Sequence, residues 1–551
     1  MNPNALSESL PLSAPGFPLV LIPALLVPLL PLIAGLIPAA RANCDGTRHA
    51  RFSARLSLAA FFAAIAVGIL VATQGPTDWQ AGTAPWLPFS FRIDVLTVVM
   101  LLLVSFLGAV VTRYTRHYLA GDVRQGTFSK WLSLTIASVL TLIISGNLLL
   151  FTLAWMATSL SLHRLLTFYG DRPAAILAAR KKFLISRLGD ACLVAGLVLA
   201  WQCFGTWEFA TIFSAAETAK ASGEGSACLG WLASLLVTAA LLKSAQFPFH
   251  SWLPDTMETP TPVSALMHAG IINAGGFLVI RLSPILVSVP AALNALALVG
   301  AFTALFASVV MLTQTSVKRS LAYSTVAQMG FMMLQCGLGA FSLATLHLVA
   351  HSLYKAHAFL SSGSVIELKR SAWTPTDRPT AHPAVLVLTL LAAGGATLGM
   401  AALFGVGVAA DPGVILLGAI FLMALAFLFW NLWAASREPA LIAWGLVLGI
   451  SASGAYFTLH AGFKKLLGTA VPHFSPDRSA LEFGVMLLIA FLFLGVLVLQ
   501  SQLPTWSKKP AMRALYVHAS RGFYLGAWAN RFTERCFTKS SPHATANLSS
   551  H

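Results

Sequence analysis

Apolar residues in this chain come in long unbroken runs, not in alternation and not as single stripes. The runs lie at about 18–38, 56–73, 93–112, 131–146, 148–168, 183–203, 229–245, 262–283, 292–314, 318–338, 341–366, 383–405, 413–435, 438–459 and 481–501. A helix needs roughly 20 such residues to cross a bilayer. Runs that are apolar all round and do not alternate predict helices, not a membrane barrel. The expected fold is an all-α polytopic membrane protein with about 15 transmembrane helices. The first run, Pro18 to Pro38, has no basic lead-in and is long enough to span. It reads as a membrane helix, not a cleavable signal.

Composition narrows the function. Of the 551 residues 57% are apolar and only 10% charged, where soluble chains carry roughly 25% charged residues. A large soluble domain is excluded, as are disordered, collagenous and disulfide-scaffold classes. No Gly-x-x-x-x-Gly-Lys-Ser/Thr is present, so no P-loop nucleotide site is expected. Cys44, Cys192, Cys203, Cys228, Cys336 and Cys536 stand singly, with no Cys-x-x-Cys. No zinc, iron–sulfur or haem framework follows from them. The chain is expected to carry no cofactor and to catalyse nothing itself. Energy for any work would come from an ion gradient or a partner.

The net charge of +16 would suggest nucleic acid in a soluble protein. Here its distribution gives a different reading. Arg41, Arg48, Arg51 and Arg55 fall in the first loop, and Arg113, Arg116, Arg124 and Lys130 in the third. Arg164, Arg172, Arg180, Lys181, Lys182 and Arg187 surround the fifth. The stretch 74–91 has no Lys or Arg, and 204–229 has only Lys220. This alternation follows the positive-inside rule. It predicts a multi-pass membrane protein with its N-terminus outside and its tail cytoplasmic, and no nucleic-acid partner. The tail, 504–551, mixes Trp506, Tyr516, Tyr524 and Trp528 with Lys508, Lys509, Arg513, Arg521 and Arg531. It reads as an amphipathic helix on membrane lipids, or as a docking surface.

Ionisable residues inside membrane spans are costly and mark ion or proton paths. Asp190 falls within the sixth run, and Lys243 ends the seventh. Between the seventh and eighth runs Pro248, Pro254, Pro260 and Pro262 interrupt helical hydrogen bonding. His268 follows that break by about two turns. His347, His351 and Lys355 are spaced i, i+4, i+8, which places them on one helix face with steps of about 6 Å. Histidine and desolvated lysine both suit proton relay. His357 lies off this stripe and reads as an ordinary helix histidine. Asp94 reads as a start-of-helix residue.

These residues also carry a family resemblance. Residues 241–275, LLKSAQFPFHSWLPDTMETPTPVSALMHAGIINAG, resemble the proton-conducting antiporter-like subunits of complex I and of Mrp-type antiporters. So do residues 314–332, QTSVKRSLAYSTVAQMGFM, and 347–366, HLVAHSLYKAHAFLSSGSVI. The resemblance implies two inverted five-helix repeats, each with a broken helix, and a central hydrophilic axis. The organisation expected from it is N-terminal helices (1–125), a first repeat (126–285), a second (286–436), C-terminal helices (437–503) and the tail (504–551). It implies that Asp190, Lys243, His268, His347, His351 and Lys355 carry protons, with Pro248, Pro260 and Pro262 at the helix break.

The departures from this pattern matter as much. Where the family carries Trp-Glu in its fifth span, this chain reads Trp155-Met156. Met cannot ionise, so Lys243 lacks its usual glutamate, and Asp190 is the only acid in a neighbouring span. The span-twelve lysine is also missing, with Asp411 near its place. The lateral helix of the complex I homologue is not expected, and a basic cytoplasmic loop is expected within 163–191. Within the family these features resemble DabB, the membrane subunits of two-component inorganic carbon pumps. That resemblance implies a cation-conducting subunit, with H⁺ the expected ion. It would drive a cytoplasmic partner of the DabA type, a large zinc protein resembling a β-carbonic anhydrase, so zinc and catalysis would belong to the partner. A pump or antiporter subunit of complex I, a membrane hydrogenase or an Mrp complex is the alternative reading. A non-conducting scaffold for a soluble enzyme is a third.

Overall fold

The computed structural model describes residues 17–80, 89–222, 227–362, 383–403, 412–435, 439–472, 478–506 and 509–538. Each apolar run is met by a helix or by a helix broken in two. The N-terminal group is α1 (Leu21–Leu36), α2 (Ala39–Cys44), α3 (Gly46–Gln74) and α4 (Val95–Tyr118). Next come α5 (Gln125–Ile144), α6 (Leu148–Leu166), α7 (Pro173–Phe204), α8 (Phe209–Ser222) and α9 (Ala227–Lys243). Among the described residues ten segments are long and apolar enough to cross a membrane, and three shorter helices are apolar. The chain is therefore a helical multi-span membrane protein.

Two sequence expectations change here. The basic stretch after residue 172 is not a loop: Pro173, at the first helical position, starts a 32-residue helix that carries it. Likewise Arg48, Arg51 and Arg55 ride on α3, and Arg113 and Arg116 on α4, because these helices run past the apolar core. The chain also has a small strand pair. β1 (Thr77–Gln80) and β2 (Ser90–Ile93) run antiparallel, with Thr77 opposite Ile93. This hairpin is tied to the α5–α6 turn, where the Gly146 amide donates to the Ser90 carbonyl at 2.9 Å. Nearby, Cys203 and Cys228 form a disulfide that joins the end of α7 to the start of α9. Spacing alone had not paired them.

The proline-rich segment is broken as its sequence demands. After Lys243 the chain turns through α10 (Trp252–Asp255) and a 3₁₀ turn at Thr256–Glu258. It re-enters as α11 (Thr261–Ala269), steps through 3₁₀ geometry at Ile271–Asn273, and continues as α12 (Ala274–Arg281). Pro262 sits in the first turn of α11, where its missing N–H costs nothing. Gly275 is required: a Cβ there would lie 2.5 Å from the Ala240 carbonyl oxygen on α9 and 2.3 Å from Ser244 Oγ. Asp94 caps α4, accepting from the Thr97 amide at 2.8 Å. It also holds the buried Arg281 at the end of α12 through an ion pair of 2.5 Å.

The remaining helices are α13 (Ser283–Val287), α14 (Pro290–Met311), α15 (Val317–Gly337), α16 (Phe341–Leu360), α17 (Pro383–Leu403), α18 (Pro412–Ala435), α19 (Pro439–Leu467) and α20 (Ala480–Trp506). The second expected helix break, in the second repeat, is not among the described elements, and Asp411 lies outside the described residues. The tail folds into α21 (Pro510–Ser520), a 3₁₀ turn at Gly522–Tyr524, and α22 (Leu525–Thr538). Part of it packs on protein. Lys181 of α7 donates to Asn530 Oδ1 at 2.7 Å, and the Arg180 guanidinium sits 4.9 Å from the Phe537 ring. Trp528 and Phe532 stay exposed.

Candidate functional site

The buried charges gather at two centres joined by the helix break. The first lies between α6, α7 and α9. Lys243 closes α9 with only 7% of its surface exposed. Its ammonium lies 4.4 Å from the centre of the Trp155 ring. Its Nζ has no hydrogen-bond partner among the described residues. Asp190, Arg187 and Lys182 are the charged groups that interact with it. Asp190, buried on α7, is itself in an ion pair with Arg187 at 2.5 Å. So Asp190 is near Lys243 electrostatically, while its direct contact is one helical turn away on its own helix. Met156 stands beside Trp155 on α6, where the family's glutamate is absent.

Lys182 completes this centre and was not singled out from sequence. It is 3% exposed and donates to the Ser159 carbonyl at 2.9 Å and to Ser159 Oγ at 3.0 Å. Lys182, Arg187 and Asp190 thus line α7 on the approach to Lys243. From Lys182 to Asp190 is about 12 Å at 1.5 Å per residue. Lys181 points the other way, towards Asp255 of α10 and Asn530 of the tail. The double lysine resembles a surface anchor in sequence. A signal was nonetheless available: Pro173 followed by Ala-Ala-Ile-Leu-Ala-Ala is a strong helix start, which puts both lysines inside a helix.

The second centre lies between α11, α15 and α16. His268 is fully buried, with Nδ1 3.0 Å from Thr325 Oγ1 on α15. Its ring stacks on Phe359 at 4.3 Å. On α16 the His347 and His351 rings lie 6.0 Å apart, as the i, i+4 spacing requires. His347 Nδ1 is 2.8 Å from Gln335 Oε1. Lys355 is fully buried and donates to Ser324 Oγ at 2.8 Å and to the Leu321 carbonyl at 3.2 Å. Nε2 of both His268 and His351 is buried with no hydrogen-bond partner among the described residues. His357 is exposed and outside the group.

The broken helix stitches the centres together. Ser244, directly after Lys243, donates to the Ile272 carbonyl at 2.8 Å in the 3₁₀ step. Asn273 donates to Ser352 Oγ on α16 at 2.7 Å. An unbroken helix would spend the Ile272 carbonyl on its own i→i+4 ladder. The break frees it to bond across helices, which is tolerated at membrane depth only inside protein. Beyond His347 a cleft of about 460 Å³ opens between α14, α15, α18, α19 and α20, with Gln328, Gln335, Tyr456 and Gln500 on its wall. The six sequence-selected side chains therefore fall into two centres, Asp190 and Lys243 in one and His268, His347, His351 and Lys355 in the other, with the hydrogen bonds of the break between them. Pro248, Pro260 and Pro262 sit in or beside the break. Buried ionisable groups with spare donor and acceptor positions can pass protons where water bridges them. Among the described residues no group of three His, Cys, Asp or Glu is placed to hold a metal.

Comparison with known proteins gives a consistent picture. Residues 145–377 match the family model described as NADH:quinone oxidoreductase/Mrp antiporter, TM. Residues 79–129 match that of NADH-Ubiquinone oxidoreductase (complex I), chain 5 N-terminus. The probable inorganic carbon transporter subunit DabB2 of Halothiobacillus neapolitanus is 43% identical over 492 residues, 87% of each chain. The probable inorganic carbon transporter subunit DabB of Hydrogenovibrio crunogenus is 42% identical over 344 residues, 62% of this chain and 64% of that one. Among solved structures, a chain of the Mrp complex from Dietzia sp. DQ12-45-1b matches with a TM-score of 0.59 at 22% identity. That match covers 96% of this chain and 60% of the other, and it bears on the fold alone.

Proposed function

From the premise that this chain belongs to the antiporter-like membrane-subunit family of complex I, Mrp antiporters and DabB inorganic carbon transporters, we propose that it conducts a cation, H⁺ foremost, for a two-component inorganic carbon accumulation complex. The observation that carries this reading is the pair of centres of ionisable side chains inside the helix bundle, the buried Asp190 and Lys243 in one and the buried His268, His351 and Lys355 with the half-buried His347 in the other. Side chains this costly to bury have a use when ions pass along them. The carbon side of the reading rests on the likeness to DabB2 across 87% of both chains. The partner in this reading is a DabA-type zinc protein on the cytoplasmic face. It would hydrate CO₂ to bicarbonate, and this chain would catalyse nothing. Each inward unit charge releases about 2.3 kcal/mol per 100 mV. That is enough to bias a coupled equilibrium roughly 40-fold.

A pump or antiporter subunit of a respiratory, hydrogenase or Mrp-type complex is the second reading. It is favoured by 39% identity over 291 residues to the NAD(P)H-quinone oxidoreductase chain 5 of Synechocystis. That match covers only 43% of the other chain, and Met156 replaces the acid that a Glu–Lys pump would use. The test is labelled inorganic carbon uptake, with bicarbonate-dependent growth, in a carbonic-anhydrase-deficient bacterium. The chain is expressed alone, with a DabA-type partner, and with that partner as Lys243→Ala. Uptake is expected only with both proteins, to collapse with an uncoupler, and to be lost in the variant. No uptake with both proteins demonstrably present returns the chain to the second reading.

A further inference from the structure

Away from the two centres, α3 and α4 enclose a cleft of about 420 Å³ at one membrane face. Arg51 and Arg55 enter it from α3, and Arg113 and Arg116 from α4. The two helices are joined through the β1–β2 hairpin and run antiparallel, so the start of α3 and the end of α4 meet there. Among the described residues none of the four arginines forms an ion pair. Their one side-chain hydrogen bond among the described residues is from Arg116 to His117 at 2.8 Å. Towards the membrane interior the cleft is floored by apolar side chains, including Phe61 and Phe106, whose rings lie 5.6 Å apart.

One feature separates this cleft from ordinary positive-inside charge. A neighbouring, mainly apolar groove of about 370 Å³, with His357 and Ser361 at its wall, shares Phe106 and Val110 with the cleft and runs between α4 and α16. A four-guanidinium head site with an apolar floor, continued by a second apolar groove, has the chemistry of a phospholipid: a phosphate at the interface and two chains below.

We propose that the α3–α4 cleft binds an anionic phospholipid, its headgroup phosphate held by Arg51, Arg55, Arg113 and Arg116 and its acyl chains laid along the two grooves beside Phe106. Basic pockets between membrane helices hold anionic headgroups by this combination of charge and apolar contact. Because the second groove borders α16, such a lipid would also wedge α4 against the helix that carries His347, His351 and Lys355. The inference does not depend on what those residues conduct.

The test uses the full chain in phosphatidylcholine nanodiscs, with and without phosphatidylglycerol. Native mass spectrometry counts the lipid retained, and scanning fluorimetry reads the melting temperature. Phosphatidylglycerol is expected to raise the melting temperature and to remain bound, while inorganic phosphate added to phosphatidylcholine discs does neither. Replacing the four arginines by Gln is expected to weaken retention at least ~10-fold. Ala109→Trp, which keeps every charge but fills the cleft, is expected to do the same and covers the case in which the Gln variant fails to insert. Equal behaviour in both lipids, a full effect of inorganic phosphate, or unchanged retention in Ala109→Trp would overturn the proposal.

Discussion

At the scale of single residues, the geometry turns on what stands beside Lys243 in place of the glutamate that the family resemblance implies. Burial disfavours an ammonium, and the Trp155 face at 4.4 Å offers only a partial counter-charge. Lys182 and Arg187 add like charge around it. Among the described residues Asp190 is the acid that acts on Lys243, and it already pairs with Arg187. If Asp190 does the missing glutamate's work, then Asp190→Asn should cut uncoupler-sensitive charge movement in liposomes by at least ~10-fold, an energetic loss of about 1.4 kcal/mol. Adding Met156→Glu to that variant should restore part of the activity, since it returns an acid beside Trp155. Normal charge movement in Asp190→Asn would sink this assignment. A loss that Met156→Glu cannot repair would leave Asp190 as a brace for Arg187.

At the scale of elements, α15 is the beam against which the second centre is built. It presents Thr325 to His268, Gln335 to His347 and Ser324 to Lys355. Its position is fixed by close packing on α14, where glycines let two backbones approach, as small residues do between membrane helices. A Cβ on Gly330 would lie 2.6 Å from the Ala304 amide nitrogen and 2.7 Å from the Gly300 carbonyl oxygen. Backbone cannot yield there as a side chain can. Gly330→Val should therefore destabilise the protein by about 1–3 kcal/mol, the usual cost of overpacking, and lower its melting temperature in detergent. Gly418→Ala, whose Cβ meets nothing within 4 Å, is the control and should be neutral or slightly stabilising. Equal effects from the two would mean that the α14–α15 contact does not limit stability. The same elements explain what could be read in advance. Long apolar runs announced the helices, and i, i+4, i+8 spacing announced the α16 stripe, because both signals are local. Thr325, Gln335, Ser324 and Asn273 were silent, because each matters only through a helix distant in sequence. Lys181 and Lys182 read as surface charge because Asp255, Asn530 and Ser159, which make their burial tolerable, come from three other elements.

At the scale of the whole molecule, the two faces differ in chemistry, and that difference makes orientation testable. One face carries the β1–β2 hairpin, the α5–α6 turn and the segment around Glu208, laced by Asn147, which donates to Ser90 Oγ at 2.9 Å and to Glu208 at 3.2 Å. Burial raises the Glu208 carboxyl above its ordinary range, against the opposing pull of its bonds to Ser90 and Asn147. The Cys203–Cys228 disulfide lies at the end of α7 that leads into this segment. The opposite end of α7 carries Arg180, Lys181 and the folded tail. Disulfides persist in oxidising compartments, and arginines and lysines favour the cytoplasmic side. Both arguments predict the disulfide face outside and the tail inside. In intact spheroplasts, a membrane-impermeant reductant followed by an impermeant maleimide should label Cys203 and Cys228. The exposed Cys44 and Cys536 should be labelled only after permeabilisation. The opposite pattern would invert the chain, placing the tail and the arginine cleft outside. A DabA-type partner in the cytoplasm would then have to grip the hairpin face, which offers it few basic residues and no tail.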